Sequence, residues 1–81
     1  MDVGISGIWP VGRQPLNQKV YESLKELILA GQISPGTKLN ETQVARQMGT
    51  STTPVREACR LLAAEGFLKI GPWKGAVVQE Y

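Results

Sequence analysis

The sequence predicts a mainly α fold with a small β-hairpin, a winged helix-turn-helix of three helices plus a wing. Three observations carry that prediction. Between residues 16 and 30, Val20, Leu24, Leu27 and Ile28 recur at the i, i+4, i+7, i+8 spacing of one amphipathic helix face. Gly49 then separates two shorter apolar patterns, Val44, Ala45 and Met48 before it and Val55 and Ala58 after it, at spacings that let two helices share one core. Finally, β-rich runs at residues 67–70 and 76–78 flank Gly71-Pro72-Trp73-Lys74-Gly75, a hairpin signal.

Residues 1–15 read as an extended, partly ordered arm, because Gly4, Gly7, Pro10, Gly12 and Pro15 interrupt it and Ile5, Ile8 and Trp9 follow neither a helical nor a strand period. Trp9 is a candidate for docking on the domain or on a partner, since a lone Trp is costly to leave in water. The winged domain is expected over residues 16–81. Asn17 is the expected cap of the first helix and Gly31 its stop. Lys19, Glu22, Lys25 and Glu26 form the solvated face of that helix. Ser34-Pro35-Gly36-Thr37 has type II turn chemistry, Pro fixing φ and Gly tolerating positive φ. Ile33 and Leu39 should pack beneath the turn, with Lys38 and Leu39 extended and available to pair with a later strand.

Asn40 followed by Gln43 is a capping-box pattern opening the second helix, which should run to about Gln47 and end at Gly49. Thr42, Gln43, Arg46 and Gln47 then face outward. The third helix begins at Ser51 to Thr53, any of which can cap it, and tolerates Pro54 in its first turn. Val55, Ala58, Cys59 and Leu62 form its inner stripe, and Gly66 closes it. Leu61 lies off the stripe, either as a tolerable single exposed residue or as a contact with another domain or subunit.

Composition narrows the function. With 81 residues the chain makes a single small domain, burying roughly 60% of its unfolded surface, which leaves no room for a large internal active site. Nine Lys plus Arg against seven Asp plus Glu give a net charge of +2. Between Asn17 and Val78 eight basic residues face five acidic ones, and five of the eight lie from Arg46 onward. That bias permits nucleic-acid binding without requiring it. The single Cys59 excludes an internal disulfide and reads as a small core residue, because there is no His to activate it. No metal-ligand cluster, phosphate loop or nucleophile with a base is present, so the chain is not expected to be an enzyme or to hold a metal or cofactor. Apolar runs are shorter than the roughly 20 residues of a membrane span and the start lacks signal-peptide order, so no membrane partner and a cytoplasmic location are expected.

The outward residues suggest what the domain does. Ser51, Thr52, Thr53, Arg56 and Glu57 lie at the start of the third helix, where a recognition helix meets base edges and phosphates. An ordinary helical hairpin with a polar face is the alternative. Free N–H groups and the helix dipole there also attract phosphate. Arg46 and Gln47 are phosphate candidates or simply solvated. Arg56 either grips a base edge or phosphate bidentately, or pairs with Glu57 or Glu41 and serves the fold. Lys74 can reach a phosphate or the minor groove from the hairpin tip, while Trp73 either packs or offers a surface to the sugar-phosphate edge.

Val20-Tyr21-Glu22-Ser23-Leu24, Ile33-Ser34-Pro35-Gly36-Thr37-Lys38-Leu39-Asn40-Glu41, Thr53-Pro54-Val55-Arg56-Glu57-Ala58 and Ala64-Glu65-Gly66-Phe67-Leu68 resemble the DNA-binding domain of GntR-family regulators. The resemblance spans residues 16–78 and is greatest to the FadR-type branch, through Leu39-Asn40-Glu41 and Thr53-Pro54-Val55-Arg56-Glu57. Members of that branch carry a separate C-terminal helical domain that binds a metabolite. These residues have no counterpart of it, so the chain is expected to be either an isolated reader domain or a longer protein cut after that domain. The resemblance implies a dimeric regulator on a pseudo-palindromic double-stranded operator, self-associating through that C-terminal domain. It also implies the third helix in the major groove and the wing at the minor groove. The candidate DNA contacts are Thr42, Arg46, Ser51, Thr52, Thr53, Arg56, Arg60, Trp73, Lys74 and Gly75. Arg is usual in the family where Thr42 and Thr52 stand, and Gly where Trp73 stands, which alters the operator and affinity to be expected but not the fold. The rival reading is a winged helix serving as a protein–protein interaction module. A salt titration separates the two, because phosphate contacts make affinity fall steeply with salt.

Overall fold

The computed structural model describes residues 15–72 and 75–80. The elements run α1 (Leu16–Leu29), β1 (Lys38–Asn40), α2 (Glu41–Met48), α3 (Thr52–Ala64), β2 (Leu68–Ile70) and β3 (Gly75–Val78). This is the three-helix winged architecture expected, with the wing widened to a three-stranded antiparallel sheet ordered β1-β3-β2.

Helix α1 buries Val20, Leu24 and Ile28, chiefly against α3, while Leu27 is only half-buried. Its cap differs from expectation. Pro15 occupies the N-cap, and its carbonyl accepts from the N–H groups of Gln18 and Lys19, both at 3.1 Å. Asn17 therefore lies inside the first turn, two positions too late to cap it. The fixed φ of proline suits a helix entrance, which the reading of Pro15 as the arm's last residue overlooked. Gly31 ends the helix at φ 77°.

The turn before β1 closes through Thr37 N–H donating to the Ser34 carbonyl at 3.1 Å, with Gly36 at φ 89°. β1 then pairs with β3, Leu39 opposite Ala76 and Asn40 opposite Gly75. Pairing extends past β1 through reciprocal bonds, Gly36 N–H to the Val78 carbonyl (2.8 Å) and Val78 N–H to the Thr37 carbonyl (2.9 Å). Gly75, read as part of the turn, is the buried first residue of β3, and its carbonyl accepts from Gly71 N–H at 3.2 Å. The strand partner supplied by β1 draws it into the sheet. Trp73 and Lys74, like the arm with Trp9, lie outside the described residues.

One core joins everything. Val20, Leu24, Ile28, Val44, Ala45, Val55, Ala58, Cys59, Leu62, Leu68, Ala76 and Val78 are all buried. Ile33 and Leu39 pack against its edge, as expected from their place around the turn. A polar tie not foreseen from sequence joins α1 to the end of α3: the Tyr21 hydroxyl donates to Glu65 Oε1 at 2.6 Å, and Lys25 Nζ donates to the Tyr21 oxygen at 3.1 Å. Lys25 also lies 5.5 Å from the Phe67 ring centroid.

Candidate nucleic-acid interface

The turn between α2 and α3 is built by local chemistry. Asn40 caps α2, its Oδ1 accepting from Gln43 N–H at 3.0 Å. At the other end Gly49 adopts φ 70°, and Thr50 N–H bonds back to the Ala45 carbonyl at 2.9 Å, so the chain reverses within three residues of the helix. Ser51 occupies the N-cap of α3, yet no side chain makes a capping bond there. Neither Ser51, Thr52 nor Thr53 satisfies the helix's first N–H groups in the way expected. Those donors remain available at the positive end of the dipole.

α3 is divided sharply by burial. Pro54, Val55, Ala58, Cys59 and Leu62 are buried, whereas Ser51, Thr53, Glu57 and Arg60 are exposed and Thr52 is half-buried. Pro54 was expected only to be tolerated; it also packs inward, a role fixed by the rotation of the first turn and not by any local signal. From α2, Thr42 and Arg46 are exposed beside this face.

Arg56 is not a free cation. Its Nε–H donates to Glu41 Oε1 at 3.2 Å, linking the two helices of the motif. The Arg56 side chain is 40% exposed while that of Glu41 is 8% exposed. The structural partner foreseen as one alternative for Arg56 is thus present, and Glu41 rather than Glu57 provides it. The burial of Glu41 had no sequence signal, because its partner stands 15 residues away. The same carboxylate contributes to the environment of Cys59, whose thiol is pushed up to about 11, mainly by burial and secondarily by Glu41. Among the described residues no group of three or more His, Cys, Asp or Glu could hold a metal, and no helix is long and apolar enough to cross a membrane.

Two helices around a glycine turn, the second with an apolar inner stripe and a polar outer face, followed by a small antiparallel sheet, define a winged helix-turn-helix DNA-binding domain. The chain belongs to the GntR family: residues 16–78 match the family described as "Bacterial regulatory proteins, gntR family". It is 46% identical over 55 residues to the uncharacterized HTH-type transcriptional regulator YdhC of Bacillus subtilis (strain 168), covering 68% of this chain and 25% of that protein. It is 40% identical over 67 residues to the HTH-type transcriptional repressor RspR of Escherichia coli (strain K12), covering 83% and 29% respectively. The solved structure of E. coli McbR/YncC superposes with a TM-score of 0.79 at 34% identity, covering 84% of this chain and 32% of that one. The chain therefore spans between a quarter and a third of these relatives, and corresponds to the DNA-binding domain of transcriptional regulators.

Proposed function

We propose that the domain binds double-stranded DNA sequence-specifically, as the reading end of a metabolite-responsive bacterial regulator of the FadR-type branch. In this reading α3 enters the major groove and the wing lies at the minor groove. The observation that carries it is the division of α3, with its uncapped N-terminal turn and the exposed Ser51, Thr53 and Arg60 set opposite a fully buried stripe. Ser51, Thr52, Thr53 and Arg56 meet base edges and the nearest phosphates. Arg60, one turn further along α3, and Thr42 and Arg46 on α2 contact the backbone on either side. At the wing, Lys74 and Trp73 are assigned to the sugar-phosphate edge, and Gly75 opens β3 as its buried first residue. The operator is pseudo-palindromic, and the two reading domains are brought together by self-association through a part of the protein outside these residues. The domain uses no cofactor and works in the cytoplasm.

Selection of bound sites from a random double-stranded DNA pool tests this directly. An enriched half-site, bound with an affinity that falls steeply as salt rises, is the expected result. Recovery of no sequence, or salt-insensitive binding, would favour the protein-interaction reading instead.

A further inference from the structure

Glu41 is buried, charged and adjacent to the face assigned to DNA, where a carboxylate repels phosphate. Its place is nonetheless fixed firmly. It is the first residue of α2 and directly follows Asn40, whose side chain caps the helix and whose backbone pairs with Gly75 in the sheet. A buried charge pair seldom stabilises a fold more than apolar residues of the same volume would. What an apolar side chain cannot do is accept the Arg56 Nε–H.

We infer that Glu41 is a positioning residue for DNA readout: it holds the Arg56 guanidinium by Nε, so that the two Nη groups present a fixed, charge-compensated fork to a base edge. This rests on the DNA-binding reading above. The bond at 3.2 Å occupies only Nε. Among the described residues the Nη groups have no hydrogen-bond acceptor, and the Arg56 side chain is open enough, at 40% exposure, for them to reach solvent. A guanidinium held at one edge keeps its opposite donors in a rigid plane suited to two acceptors on one base. Because the carboxylate compensates its charge, Arg56 displaces few counterions on binding. It therefore contributes to base choice and little to salt dependence.

The test uses the 81-residue chain and the site enriched by selection, with single-base variants of that site and a salt series. Glu41→Gln keeps an acceptor but removes the charge, so base preference should persist while the salt slope steepens by about one. Glu41→Met removes the acceptor, and preference at one base position should fall about tenfold. In an Arg56→Ala background, Glu41→Met should change preference no further. Should Glu41→Met fail to fold, Glu41→Gln and Arg56→Lys decide: the lysine keeps the charge but lacks the fork and should lose the same preference. A purely structural Glu41 would shift the melting temperature of these variants and leave the preference and salt slope of the folded proteins at wild-type values, which would overturn the inference. A wild-type chain that enriches no site overturns the DNA-reading assignment itself, and this inference with it.

Discussion

Arg56 meets two demands with one guanidinium. Structural pairing and base contact look like alternatives along the sequence, but the bond to Glu41 uses only Nε, so the two are compatible. Arg56→Ala should therefore have two effects. It strands a carboxylate of which 8% is exposed, and because Arg56 is itself partly solvated the loss of stability should be about 1 to 2 kcal/mol, below the range for a fully buried pair. It should also cost about 1 to 3 kcal/mol of affinity for the preferred site. Urea melts and fluorescence anisotropy measure each, and unchanged affinity in the folded variant would exclude Arg56 from the interface. Cys59 offers a second test at this scale. The residue is 1% exposed and its thiol pKa is raised from 9.0 to about 11, chiefly by burial. The folded state thus keeps a proton that the unfolded chain gives up. The associated stability, roughly 2 to 3 kcal/mol, should be intact below pH 9 and lost as pH rises toward 11. Cys59→Ala should show a flatter decline of melting temperature over that interval, and native Cys59 should resist thiol reagents at neutral pH.

At the scale of elements, the ends of the helices set the geometry of the reading face. α2 is closed at both ends, by the Asn40 side chain and by Gly49 in the left-handed region. Asn40→Ala should cost about 1 kcal/mol through loss of the cap. A Cβ at Gly49 would meet nothing within 4 Å, so the cost of Gly49→Ala is backbone strain alone, about 1 to 2 kcal/mol. Both values are measurable by denaturant unfolding, and Gly49→Asn should be milder because Asn tolerates that conformation. α3 differs in kind. Since Ser51 makes no capping bond, Ser51→Ala should change stability by less than about 0.5 kcal/mol. Any loss of DNA affinity in that variant can then be attributed to the interface. A large loss of stability would show that Ser51 caps α3 in solution.

For the whole molecule, the decisive quantity is the number of reading domains held together. A single domain lacks the effective concentration that joins two half-sites, so the 81-residue chain should bind a palindromic site more weakly than a protein carrying two joined copies. Sedimentation should find it monomeric at low concentration. A tight dimer would point to Leu61, which is 50% exposed on α3, as the contact. Tying the ends of the domain together is the task of the Tyr21, Lys25 and Glu65 cluster, which lies away from α3's first turn. Tyr21→Phe should therefore lower the melting temperature modestly without altering affinity for DNA.

Periodicity and turn chemistry alone determined the three helices, the type II turn, the glycine turn of the motif and the inner stripe of α3, because each depends on residues within about one helical turn of one another. The polar outer face followed from the same pattern. Where two elements meet, only the tertiary structure decided. Pro15 displaced Asn17 as the cap of α1, Gly75 joined β3 because β1 supplies it a partner, and Pro54 turned inward on the core. Glu41 is the clearest case. Along the sequence it stands only as one of two possible partners for Arg56, and it is buried because the fold carries Arg56 to it from 15 residues away. Hydrophobic periodicity records which side of an element faces the core. It carries no information on which charges the core will bring together, since that depends on the packing angle between helices.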